Sequence, residues 1–125
     1  MPGHIQYPTI ILPQFAPLGT EVETITDALQ HVSLAFDVSF LQEKTVYVYA
    51  TAIGGAAALN IWVELAPSNV PAAYVPLAAP TVLVATGNAI LAWTTHSRYA
   101  RVIAQCPGWV GGAWAVQAAF EAKTP

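Results

Sequence analysis

Charge is what this sequence has least of. Four Lys and Arg and seven Asp and Glu serve 125 residues, so 9% of the chain is charged, where an ordinary globular protein carries about 25%. The four basic residues, Lys44, Arg98, Arg101 and Lys123, are scattered. Phosphate neutralisation needs them clustered, so with a net charge of -3 no nucleic-acid partner is expected. Cysteine is nearly absent too: Cys106 alone makes no intrachain disulfide and reads as a small buried apolar side chain. The N-terminus lacks the basic region, apolar stretch and cleavage site of a secretory signal, and its prolines would break one. Thr45 to Val63 carries no charge and has the length of a membrane span. Gly54, Gly55 and Asn60 interrupt it and both flanks alternate, so the run reads as a β-hairpin and no membrane partner is expected.

What the chain has in abundance is apolar residues, 55% of the total, and they recur with period two. Val32, Leu34, Phe36, Val38 and Phe40 fall on one face of the clearest predicted strand. Val46 and Val48 alternate with Tyr47, Tyr49 and Thr51, and Leu59, Ile61, Val63 and Leu65 alternate with Asn60, Trp62 and Glu64. Pro67, Pro71, Pro76 and Pro80 forbid a helix and leave a loop or a broken edge strand around Ala73 to Leu77. Further strands are expected at Thr81 to Ala85, Ala89 to Thr94 after a Gly87-Asn88 turn, Tyr99 to Gln105 and Trp114 to Lys123. About eight short strands without an amphipathic helix predict an all-β, two-sheet sandwich of jelly-roll type.

Residues 1–19 differ from the rest. Pro2, Pro8, Pro13 and Pro17 stand among Ile5, Tyr7, Ile10, Ile11, Leu12, Phe15 and Leu18, which suits an extended N-terminal arm. An arm this apolar should lie against something, either its own domain or a neighbouring subunit, with the neighbour slightly preferred. The expected division is therefore an arm over residues 1–19 and a sandwich domain over residues 20–125.

Chemistry has few parts to work with. His4, His31 and His96 show no metal-ligand spacing with one another or with Cys106. Ser97 beside His96 is not a relay, because neighbours along a strand or turn point apart. The glycines match no phosphate-binding loop. Neither metal nor cofactor is expected, and the chain does not read as an enzyme. Aromatic residues offer the other route to function. Trp62 and Trp109 are expected to be the exposed tryptophans, available to stack on sugars, with Trp93 and Trp114 in the core. Tyr47 and Tyr49, with the apolar residues of the arm, are the candidate interface.

Ser97-Arg98-Tyr99-Ala100-Arg101-Val102, followed by a turn and a closing strand from Ala113 to Lys123, resembles the last two strands of jelly-roll domains in phage virion proteins. Discoidin-like, galactose-binding domains end in a similar way, and Asn60-Ile61-Trp62-Val63-Glu64 looks like their upstream strand. Pro67 to Pro80 replace the ligand-loop turn of those relatives. The likeness spans about residues 45–123 and implies a non-enzymatic virion component made in the host cytoplasm, such as a capsid-decorating or head accessory protein. Its partners would be copies of itself, often a trimer in that class, and the major capsid or other virion proteins. The alternative is a carbohydrate-binding module or a tail or spike receptor-binding protein with a glycan ligand.

Overall fold

The computed structural model describes residues 5–13 and 22–123. Two antiparallel sheets make a β-sandwich. In the first sheet, β1 (Ile5–Leu12) and β2 (Glu23–Ile25) share one edge of β11 (Ala113–Lys123), whose other edge carries β5 (Glu43–Ile53) and then β9 (Gly87–Trp93). In the second, β3 (His31–Val32) and β4 (Phe36–Asp37) share one edge of β10 (Tyr99–Gln105). Beyond β10 lies β6 (Leu59–Ala66), whose far edge takes β7 (Val75–Pro76) and β8 (Thr81–Leu83). The only helical piece among the described residues is a 3-10 turn at Pro71–Ala73.

Alternation decides which face each strand buries. Val46, Val48 and Ala50 of β5 and Trp114, Val116, Ala118 and Phe120 of β11 point inward and are buried. They meet Leu59, Ile61, Val63 and Leu65 of β6 and Ala100, Val102 and Ala104 of β10 from the other sheet. The Ala-rich ending is thus a strand despite the helix propensity of alanine, because its even positions complete this core. Trp114, fully buried, donates its indole N–H to the Ala57 carbonyl at 2.7 Å. Phe120 stacks at a tilt on Phe36 with ring centroids 4.3 Å apart.

Three expectations are corrected. Gly54-Gly55 is not a hairpin turn, since β5 belongs to the first sheet and β6 to the second. Both glycines take positive φ, and the chain crosses between the layers there. Gly112, also at positive φ, packs against this crossing, where an added Cβ would stand 2.5 Å from the Ile53 carbonyl oxygen. Gly87 and Asn88 likewise begin β9 and do not form the turn that precedes it.

The run from Val32 to Phe40 is broken into β3 and β4. Ser33 is the cause: its N–H donates to the Val102 carbonyl, and its buried hydroxyl accepts the Val102 N–H at 2.8 Å. A side chain thereby does the work of a ladder carbonyl. The next residue, Leu34, turns away, donates its N–H to Ile11 of β1 and lies exposed, so the alternation fails.

The arm is the third correction. Ile5–Leu12 pairs with β11 of its own chain, with register shifts, so the slightly preferred docking on a neighbour gives way to the other one open to it. Ile11 and Leu12 are each 1% exposed and belong to the core, so these two candidate interface residues are already covered. Phe15 and Leu18 lie outside the described residues, as do the side chains of Ile5 and Tyr7.

Candidate functional site

The two outer faces of the sandwich differ. On the second sheet, alternation turns Trp62 and Glu64 of β6 and Arg101 of β10 outward, and antiparallel register sets Arg101 opposite Glu64. Glu64 is buried, and its carboxylate accepts Arg101 Nη2 at 2.8 Å and Nε at 2.9 Å on one oxygen and the Trp62 indole N–H at 3.0 Å on the other. The Tyr74 ring lies 4.0 Å from the Arg101 guanidinium and its hydroxyl donates to Asn69. Cation–π contact and hydrogen bonds therefore tie the proline-rich connection down over this face. Trp62 is buried with its N–H in use, which corrects the expectation that it is a free stacking surface. Trp109 is half-buried against the core and donates to the Gly112 carbonyl at 3.0 Å.

Among the described residues nothing covers the outer face of the first sheet at its tyrosine rows. Register aligns Ala119, Tyr47 and Ile90 in one row across β11, β5 and β9, and Gln117, Tyr49 and Asn88 in the next. These side chains line a shallow groove of about 350 Å³. Tyr47 is 42% exposed, Tyr49 52% and Ile90 66%. Neither row holds an Asp, Glu, His, Lys or Arg. The groove offers two phenol rings, an aliphatic flank and two amides, a set suited to contact and hydrogen bonding. Tyr47 and Tyr49 stand where alternation put them. Their amide neighbours were missed because strand pairing, not sequence spacing, brings Asn88 and Gln117 alongside.

Elsewhere, His31 and Lys44 are held by contacts within the fold. His31 bridges two carboxylates, Glu23 at 2.8 Å on Nδ1 and Asp27 at 2.9 Å on Nε2. Burial pushes its pKa down, but the two carboxylates outweigh that and leave it raised. Lys44, 1% exposed, donates to the Leu41 and Thr95 carbonyls, and burial lowers its pKa. Its inward position follows from the alternation with Val46 and Val48. Among the described residues no group of three or more His, Cys, Asp or Glu side chains is arranged to hold a metal.

No family model matches the chain, and no curated protein matches its sequence. Solved structures do resemble it in fold. The crystal structure of PirA superposes with a TM-score of 0.58 at 10% identity, over 86% of this chain and 97% of that one. A family 16 carbohydrate-binding module gives 0.54 at 10% identity, over 86% and 80%. A chain of infectious bursal disease virus, Gt strain, gives 0.55 at 7% identity; it is matched by 98% of this chain, which spans about a third of it. At such identities the likeness is one of architecture: this chain is a β-sandwich of a kind found in a viral particle and in a carbohydrate-binding module.

Proposed function

We propose that the chain is a non-catalytic structural subunit of a virus or phage particle, a capsid-decorating or head accessory β-sandwich that associates with copies of itself and with other virion proteins. The observation that carries this reading is the open face of the first sheet, where Tyr47, Tyr49 and Ile90 stand exposed in rows without a charge. Apolar surface gains about 25 cal/mol for each Å² it hides, and repeated subunit contacts hide it. On the second sheet the proline-rich connection, held by Tyr74 on Arg101, lies over the corresponding face. Tyr47→Lys tests the reading. It should leave the unfolding midpoint nearly unchanged, since exposed substitutions move stability by about 0.5 kcal/mol or less, and it should lower the mass measured by light scattering. An unchanged mass would remove that face from the contact.

A second reading rests on one feature, the pair of amides beside the two tyrosines. Asn88 and Gln117 flanking Tyr47 and Tyr49 give the groove the stacking surface and hydrogen-bonding groups that a sugar ring uses. Binding on a glycan array that disappears in Tyr49→Ala would favour it over assembly.

A further inference from the structure

We infer that β9 is a pairing edge, and that a second copy of this chain docks on it by laying its own β9 antiparallel alongside, joining two first sheets into one. The inference rests on the assembly reading above and names the seam. An edge strand presents a row of unpaired N–H and C=O groups, and proteins blunt such edges with prolines, charges, bulges or brevity. The other three edges of this sandwich are blunted. β1 carries Pro8 and two register shifts, and β2 beside it has three residues. β3 and β4 have two residues each, interrupted by Ser33. β7 and β8 are two and three residues long, with Pro76 inside one and Pro80 before the other.

β9 has none of these devices. It runs seven residues, Gly87 to Trp93, without proline or charge, and pairs with β5 through an unbroken register. Among the described strands only β5 bonds to it. What fits a free strand edge is another extended backbone, and an identical strand meets no like charge here. A two-fold pair centred on Ile90 sets Ile90 against Ile90 on the outer face and Ala89 against Leu91 on the inner one. Ile90 is two-thirds exposed and Leu91 half-buried in the single chain, so both gain cover. On the inner side, a groove of about 200 Å³ runs between Ile90–Trp93 and Leu77–Ala79, where the incoming Ala89 comes to lie beside Leu91. Trp93 lines that groove, and its buried indole N–H has no acceptor among the described residues. The seam would also place two tyrosine grooves side by side on one continuous face.

The test is thiol cross-linking in the full chain. The native Cys106 is fully buried, so Ile90→Cys supplies the accessible thiol, and a short thiol-to-thiol cross-linker should join two copies through it. Thr24→Cys, exposed on the opposite edge, is the control and should not join. Ile90→Lys, which sets two ammonium groups face to face, should raise the dissociation constant of the wild-type pair by about tenfold or more. An oligomer in which Ile90→Cys fails to join and Ile90→Lys changes nothing would overturn the seam while leaving assembly in place. If Ile90→Cys joins and Tyr47→Lys has no effect on mass, the seam stands and the broader face contact falls. A chain that stays at 13.2 kDa at every concentration would overturn both.

Discussion

Replacing Glu64 by Gln should destabilise the protein by about 2–3 kcal/mol. The carboxylate takes three hydrogen bonds, two from Arg101 and one from Trp62. A glutamine keeps a single acceptor oxygen, so its NH₂ must face either the guanidinium or the indole N–H, donor against donor. The side chains of Glu64 and Arg101 are 10% and 17% exposed. That places the cost above the value of roughly 0–1 kcal/mol for a surface pair and below the 3–5 of about full burial. Urea unfolding should move its midpoint down by roughly 1 M at an ordinary slope. A cycle with Arg101→Met should return a coupling of about 1–3 kcal/mol. The perturbation should also loosen Tyr74, which sits on Arg101, and raise the fluorescence accessibility of Trp62 to a soluble quencher. A cost under about 0.5 kcal/mol with no coupling would refute the claim that this cluster closes the face of the second sheet.

Other outcomes follow from particular contacts. Gly112→Ala combines a positive φ with a Cβ 2.5 Å from the Ile53 oxygen and should cost about 2–4 kcal/mol, whereas Gly111→Ala, with open space around it, should be nearly neutral; equal costs in thermal unfolding would contradict the packing of the β5–β6 crossing. The pKa of His31 is raised above its ordinary value of 6.5 in the folded chain, so its contribution is complete below that value and is lost as the pH rises through the raised one. The Asp27 carboxylate is held below its ordinary 3.8, chiefly by its bond to His31, so on the acid side the loss comes only below that value. The melting temperature should therefore fall as the pH rises above 6.5, and His31→Gln should flatten that slope. The same slope in both proteins would exclude His31 as its source.

Period two was enough to read the sandwich, because a strand with one buried face must alternate and the even positions of β5 and β11 do so over eleven residues each. The same rule put Tyr47 and Tyr49 outside. It failed where one residue's bond replaced the ladder: Ser33 looked like an outward position and is 2% exposed, its hydroxyl bound to β10. It failed again at Trp62, which does point away from the core, because alternation gives a side chain's direction and not what covers it. Glu64, Arg101 and Tyr74 come from separate segments and close over that face only after the strands pair. Gly54-Gly55 carried a turn signal that was correct locally and silent about topology, since a turn into the partner strand and a crossing to the other layer use the same left-handed glycines. The arm was legible as extended and apolar. Its docking was not, because a proline-bearing edge strand fits its own sheet or a neighbour's equally well.

The measurement that bears most directly on the whole account is the mass of the intact chain by sedimentation equilibrium across a wide concentration range. Two uncharged tyrosine rows and an unprotected edge require company, so the weight-average mass should climb above 13.2 kDa as concentration rises, and Tyr47→Lys and Ile90→Lys should each hold it down. A chain that stays single and soluble at the highest concentration reached would contradict the account.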